Sequence, residues 1–229
     1  MAFSASEVPM TDMTLRPSSQ SPGRTYRWYT GEAVFPFGHG LHYTSFTPSF
    51  KQSNDQAVQL GDSSHSIAEL VSSCKSLPDG PEYLDLCPFE TFEITVENTG
   101  KTTSDYVVLL FLAGEFGPRP YPLKTLAAYE RLHAIAGQMS KVARLSLTLG
   151  SLARVDKDGN TVLYPGQYSL QLDIQPLRVL NFSLTGEPVI LDHWPQPPPD
   201  RQVPYARKDY FAGEPEVEFK KEAQKHLGW

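Results

Sequence analysis

The sequence lacks any long apolar run, and none approaches the roughly 18 residues that a membrane-spanning helix needs, so we predict no membrane segment. It also lacks a basic cluster: its 20 Lys and Arg residues are scattered, and the 229-residue chain carries a net charge of −6. A nucleic-acid partner is therefore not expected. The first residues, MAFSASEVPMTDM, have no basic segment followed by an apolar one, which predicts no signal peptide.

Cysteine is scarce: the sequence contains two, Cys74 and Cys87. Neither has a histidine or a third cysteine at ligand spacing, so a zinc site is not expected. A disulfide between them would contribute roughly 3 kcal/mol by the chain-entropy model and would imply an oxidising compartment. The alternative is two free thiols.

Residues 31–46, GEAVFPFGHGLHYTSF, are unusually rich in aromatic residues and glycine. The segment is too irregular for a helix and too apolar for a solvated loop. We interpret it as a joint that docks a preceding domain onto a following one. If the preceding domain is nearly absent, its aromatic residues should cover part of the following domain or stay partly exposed; these are Phe35, Phe37, Tyr43 and Phe46.

Alternation of apolar and polar residues begins at residue 92 and predicts strands. FEITVEN places Phe92, Ile94 and Val96 on one face, and residues 106–112, YVVLLFL, form a continuous apolar run suited to a central strand. Further strands are predicted at 126–132, 142–149, 161–164, 168–174 and 177–184. About seven strands without helices between them predict an all-β, immunoglobulin-like sandwich over residues 91–194.

The flanking regions are less regular. Residues 25–29, TYRWY, could form an edge strand or an aromatic wall. Residues 47–90 are interpreted as a linker, with a loop at 61–66 and one or two helical turns at 67–74 that place Ile67, Leu70 and Val71 on one face. The tail, residues 195–229, is rich in proline and then in charge, and we expect it to be weakly ordered.

Three sequence blocks carry a family resemblance. They are PGRTYRWYTG with FPFGHGLHYTSF, then DLCPFE, and then ITVENTGKTTSDYVVLLFL with PLKTLAAYERL and LYPGQYSLQL. Together they resemble the C-terminal part of glycoside hydrolase family 3, specifically the fungal β-xylosidases, over about residues 7–194. The resemblance implies a remnant of that family's α/β sandwich domain at 1–46, a linker with a disulfide between Cys74 and Cys87 at 47–90, and a fibronectin type III-like domain at 91–194.

The resemblance also implies what the chain does. Complete family members release xylose from xylo-oligosaccharides during xylan breakdown outside the cell. They carry an aspartate nucleophile on an N-terminal barrel and a glutamate acid/base on the second domain, both upstream of these blocks. We therefore expect no catalytic residue in this chain, no turnover by the chain alone, and a sandwich that braces the missing catalytic domains.

Local motifs that mimic chemistry have structural interpretations. Ser104-Asp105-Tyr106 resembles the context of the family's nucleophile but reads as the start of a strand. Asp156, Asp158 and Asn160 resemble the start of a calcium loop but lack its glycine and glutamate spacing, so a hairpin turn is predicted.

Two further motifs lie in the joint. His39 and His42 are interpreted as buried, hydrogen-bonded histidines rather than metal ligands. Gly38-His39-Gly40 lacks the third glycine and the helix of a phosphate cradle. No metal and no cofactor are therefore expected.

Two other functions remain open. Tyr26, Trp28 and Tyr29 could stack on sugar in a carbohydrate-binding or adhesion module, although domain-interface packing is the favoured interpretation of these aromatics. The chain could also complete an enzyme whose barrel is a separate polypeptide. Finally, Asn181-Phe182-Ser183 is a glycosylation sequon within a predicted strand, with meaning only for a secreted chain.

Overall fold

Strands dominate the part of the chain that the computed structural model describes, which comprises residues 11–50, 63–78 and 80–195. The strands are β1 Phe46–Phe50, β2 Ser63–Ser66, β3 Pro88–Asn98, β4 Ser104–Phe116, β5 Thr125–Ile135, β6 Ser140–Thr148, β7 Arg154–Val155, β8 Thr161–Leu163, β9 Gly166–Leu172, β10 Arg178–Thr185 and β11 Val189–Asp192. The helices are α1 Thr25–Trp28, α2 Ile67–Lys75, α3 Leu149–Leu152 and a 3₁₀ turn at Leu84–Leu86.

The strands form three sheets. The first has the order β1-β3-β6, the second β2-β10-β9-β4-β5, and a small third sheet β11-β8-β7. All of the pairings are antiparallel except that of β2 with β10. The predicted all-β class is confirmed. The chain divides into two units, Met1–Trp194 and Pro195–Trp229. The prediction of a weakly ordered tail concerns residues 195–229, of which 196–229 lie outside the described ranges.

The two larger sheets share one hydrophobic core. Phe92, Ile94 and Val96 of β3 are completely buried, as the alternation in FEITVEN predicted. From the other large sheet, Leu110 and Leu170 join the same core and are likewise inaccessible to solvent. Burial of each such side chain stabilises the fold by about 1.5–3 kcal/mol relative to exposure, so these alternating positions supply much of the driving force.

Strand β4 is buried on both of its faces. Val108, Leu110 and Leu112 point into the shared core. The intervening side chains of Leu109 and Phe111 are also buried, although they face away from that core. The continuous apolar run in β4 therefore indicates a strand that is covered on both its outer and its inner face.

One local prediction in the flanking regions is wrong, and of the two alternatives for residues 25–29 the edge strand is excluded. Residues 25–28 form the single helical turn α1, closed by a 2.9 Å hydrogen bond from the Tyr29 N–H to the Thr25 carbonyl. A strand would have put Tyr26 and Trp28 on the same face, whereas the turn separates them. The loop predicted at 61–66 is instead a strand from Ser63 onward, because the backbone pairs with β10 at the sheet edge; Gly61 and Asp62 lie outside the described residues.

The helix predicted at 67–74 is confirmed as α2, which buries Ile67, Val71 and Cys74. The Ser66 hydroxyl caps it by accepting from the Glu69 N–H. At the end of the helix, Cys74 forms a disulfide with Cys87, which immediately precedes β3. The two cysteines are 13 residues apart, and such a closed loop stabilises the fold by roughly 3 kcal/mol in the chain-entropy model.

Asn98, the last residue of β3, is a fully buried polar side chain whose hydrogen bonds are all made. Its amide nitrogen donates to the carbonyls of Thr102 and Ile135, each at 2.9 Å. Its amide oxygen accepts from the Thr44 hydroxyl at 2.6 Å and from the Gly100 N–H at 3.1 Å. One side chain thus links the segment before β1, the turn after β3 and the end of β5.

Replacing Asn98 by alanine should lower the free energy of unfolding by about 3 kcal/mol, because buried carbonyls lose their donor. Urea denaturation followed by far-UV circular dichroism measures this change. Gln167→Ala is the matched control: this amide is exposed on β9 and its loss should cost less than about 0.5 kcal/mol. Equal effects of the two substitutions would contradict the role assigned to Asn98.

Candidate functional site

The segment between α1 and β1 lies along the outer face of β4. Phe37 contacts Phe111, with ring centroids 6.2 Å apart. Further along, Gly38 sits so close to Leu109 that a Cβ on this glycine would lie 2.6 Å from the leucine Cδ1. Gly38 also has a φ of +89°, which favours glycine. The segment therefore covers the apolar face that β4 turns away from the core.

The segment is anchored to the sheet by aromatic packing and by two hydrogen bonds, one to a side-chain hydroxyl and one between backbone groups. Tyr26 of α1 stacks on Phe37 with centroids 4.2 Å apart, and both rings meet Phe111 edge-on. The Tyr26 hydroxyl accepts a 3.1 Å hydrogen bond from the Leu126 N–H. The Arg27 carbonyl accepts one of 2.7 Å from the N–H of Leu123. Because β5 lies at the edge of its sheet, the contact with Tyr26 also satisfies a backbone donor that would otherwise face outward.

Three polar side chains lie beside this anchor: Lys124, Tyr106 and Asp173. The Lys124 ammonium is 4.3 Å from the Phe111 ring centroid and donates to the Ile174 carbonyl at 3.0 Å. Burial lowers the pKa of Lys124, while the nearby Asp173 opposes that shift. The Tyr106 hydroxyl donates to the Asp173 carboxylate; burial first, and then this hydrogen bond, raise the pKa of Tyr106. The tyrosine therefore stays neutral and acts as a donor.

The outer surface of the segment is apolar and open to solvent. Leu41 is 90% exposed and Tyr43 is 97% exposed. We call the exposed apolar residues of this segment the apolar strip: Val34, Phe35, Phe37, Leu41 and Tyr43. Phe46, by contrast, is half-buried and packs against the core. The prediction that the joint aromatics cover the sandwich or stay partly exposed is confirmed.

The three aromatics considered for sugar stacking do not form an open platform. Tyr26 is sandwiched against Phe37 and Phe111. Trp28 has the Arg16 guanidinium 5.4 Å from its ring centroid. Tyr29 donates its hydroxyl hydrogen to the Glu32 carbonyl at 3.2 Å. This arrangement suits an anchor more than it suits a sugar subsite, which needs a free aromatic face.

The interpretation of His39 and His42 as buried residues is wrong, since both are exposed. Each lies at the surface of the segment against an aromatic ring: His39 against Phe35 and His42 against Phe46, with centroids 5.0 Å apart in each pair. Within residues 11–50, 63–78 and 80–195, no three His, Cys, Asp or Glu side chains come together in a group that could hold a metal ion. In the same ranges no helix has the length and apolarity to cross a membrane.

Ser104-Asp105-Tyr106 opens β4, as predicted. The Asp105 carboxylate accepts from the Ala134 N–H and from His133 Nδ1, both at 2.9 Å. The hydrogen bond from Ala134, followed by that from His133, lowers the pKa of Asp105. This carboxylate ties the start of β4 to the end of β5.

The predicted hairpin turn at Asp156 is also confirmed, between β7 and β8. The Asp156 carboxylate accepts from the backbone N–H groups of Asp158 and Asn160, each at 2.8 Å. These bonds hold the turn through its glycine, Gly159, which has a φ of +89°.

Sequence reasoning missed the anchor on β4 and the role of Asn98. The signal for the anchor was present in YVVLLFL: a strand without alternation needs cover on both faces. No comparable signal distinguishes Asn98 from an ordinary turn asparagine. Its partners Gly100 and Thr102 are local, whereas Thr44 and Ile135 lie 54 and 37 residues away and leave no local pattern.

No family model matches the chain. The chain is 49% identical over 199 residues to a probable exo-1,4-β-xylosidase of Aspergillus fumigatus, which is 85% of this chain and 24% of that relative. It is 48% identical over the same length to a probable exo-1,4-β-xylosidase of Neosartorya fischeri. The chain thus spans about a quarter of the curated relatives it matches.

Solved structures give the same picture. An exo-β-xylosidase of glycoside hydrolase family 3, bound to a xylobiose aziridine activity-based probe, superposes with a TM-score of 0.72 at 36% identity. The match covers 84% of this chain and 24% of that chain. A β-glucosidase from Listeria innocua, in complex with glucose, matches in fold alone, with a TM-score of 0.50 at 18% identity.

Replacing Phe37 by alanine should loosen the anchor, because an aromatic pair of this kind contributes about 1 kcal/mol. The amide hydrogens of Leu123 and Leu126 should then exchange roughly fivefold faster, as measured by hydrogen–deuterium exchange. Phe35→Ala is the matched control, since Phe35 lies two residues away and is more exposed. Equal exchange in the two variants would rule out an anchoring role for Phe37.

Proposed function

We propose that this chain, a partial glycoside hydrolase family 3 region related to fungal exo-1,4-β-xylosidases, is the non-catalytic C-terminal portion of such an enzyme. The whole enzyme would hydrolyse xylo-oligosaccharides during xylan breakdown. In this proposal the chain braces the catalytic domains and takes no part in bond cleavage.

The roles of the carboxylates support a non-catalytic portion. A retaining glycosidase needs two carboxyl groups about 5–5.5 Å apart across an open sugar site. Here Asp105 and Asp156 each hold backbone N–H groups in turns or between strands. Glu93 forms an ion pair with Arg144 at 2.8 Å, and Glu130 accepts from the Arg144 N–H at 2.6 Å. These four carboxylates are used to build the sandwich.

We assign residues 91–194 to a fibronectin type III-like sandwich, residues 1–46 to a remnant of the family's α/β sandwich domain, and residues 47–90 to a linker. Two larger sheets that share one core support the sandwich. The linker contributes more than a connection, since β2 and most of β1 belong to it and extend the two sheets at their edges.

The exposure of the apolar strip is the main observation in favour of a bracing role. Soluble proteins rarely expose a contiguous apolar patch without a partner for it. The strip is fixed in place by the Tyr26–Phe37 stack and by Gly38 against Leu109, so a docking partner would meet a preformed surface. We propose that this partner is an apolar surface on the catalytic domains of the whole enzyme. Xylo-oligosaccharide is the substrate of the whole enzyme in this proposal.

The Cys74–Cys87 disulfide supports an extracellular location. Both cysteines are buried, and disulfides of this kind form and persist in oxidising compartments. An extracellular location also suits an enzyme that takes part in the breakdown of a polymer such as xylan.

The purified chain should release no aryl alcohol from an aryl β-D-xyloside above the buffer rate. The full-length Aspergillus fumigatus relative, assayed in parallel at equal molar concentration, is the positive control. A release rate that co-elutes with the chain through two different chromatographic steps would contradict the proposed non-catalytic function.

A further inference from the structure

The sequence contains a single Asn-X-Ser/Thr motif, Asn181-Phe182-Ser183. It lies in β10, where alternation buries Phe182 in the core and turns Asn181 to the outer face of the five-stranded sheet. Asn181 is exposed. The motif is therefore presented with its acceptor amide toward solvent and its central residue inward.

The surroundings of Asn181 leave room for a bulky group. Its cross-strand partner on β9 is Ser169, a small polar residue. Val179, on the same strand face and two residues earlier, is 46% exposed and offers an apolar contact to a first sugar. Within the described residues, the Asn181 side chain has no hydrogen-bond partner that would have to be displaced.

The site is also separate from the apolar strip. The strip is anchored on β4, and the sheet order places β9 between β4 and β10. Two inter-strand spacings amount to about 10 Å. The attachment point on Asn181 is therefore distinct from the anchor of the strip on β4.

A second, independent observation concerns the compartment. The buried disulfide between Cys74 and Cys87 indicates folding in an oxidising compartment. In eukaryotic cells this is the compartment in which asparagine in Asn-X-Ser/Thr is glycosylated.

We propose that Asn181 carries an N-linked oligosaccharide. The donor is an oligosaccharide joined through a diphosphate to a lipid. The Asn181 Nδ2 forms a bond to C1 of the reducing-end sugar, the C1–O bond to the diphosphate breaks, the amide loses one proton, and the lipid diphosphate leaves. Because β10 pairs with strands on both sides once folded, transfer takes place on the extended chain before the sheet closes.

The test is the intact mass of the full chain, produced behind a secretion signal in a yeast host and recovered from the medium and from the lumenal fraction. The expected mass exceeds that of the polypeptide by one oligosaccharide. Peptide N-glycosidase should remove the excess and leave aspartate at position 181. Ser183→Ala should abolish the excess, whereas Ser183→Thr and Asn160→Gln, the latter outside any sequon, should retain it.

A disulfide-bonded wild-type chain with the bare polypeptide mass in both fractions would overturn the proposal, as would an oligosaccharide that persists in Ser183→Ala. The wild-type mass decides the matter even if a variant fails to fold. The result does not depend on whether the chain turns over a xyloside, so the two proposals fail separately.

Discussion

The four hydrogen bonds of the buried Asn98 amide connect β3 and β5, which belong to different sheets. They fix Thr44 at the end of the joint, the turn that follows β3, and the carbonyl of Ile135 at the end of β5. A buried amide is stable only when its donors and acceptors are all paired. The path of the joint into β1 therefore depends on the correct placement of β3 and β5.

The second constraint is the two-sided burial of β4. Its inner side chains complete the shared core, and its outer ones, Leu109 and Phe111, need a separate cover. The chain supplies that cover with Tyr26, Phe37 and the close approach of Gly38. This covering segment is a single layer of chain, so the apolar strip on its outer side remains exposed to solvent. The proposed bracing role rests on this layering, because the sheet holds the segment and the segment presents the apolar strip.

The strands could be predicted because alternation is a local signal. The pattern of Phe92, Ile94 and Val96 gave both the strand and its buried face. The α1 turn could not be predicted in the same way, since five mixed aromatic and polar residues suit a short strand equally well and only the contact with Phe111 selects the turn. Strand β2 was missed because SSHS has no apolar face; its backbone pairing with β10 defines it.

The candidate site was partly predictable for the same reason. The composition of residues 31–46 indicated a docking segment. The burial expected for His39 and His42 was wrong, because the sequence does not show that this segment forms a single layer over β4 with one side open to solvent. Contacts between residues far apart in sequence, such as Tyr26 with Leu126, are set by the tertiary fold and leave no trace in a local pattern.

The most direct test of the brace is whether the chain stabilises the rest of an enzyme through its apolar strip. The Aspergillus fumigatus relative, produced without the quarter that matches this chain, would be mixed with the chain and its melting temperature measured. The account predicts that the wild-type chain raises this temperature, that Phe35→Ser/Leu41→Ser/Tyr43→Ser does not, and that Leu177→Ser/Val179→Ser, exposed apolar residues outside the strip, does. Stabilisation by the triple variant equal to that by the wild-type chain, or none by the wild-type chain, would contradict it.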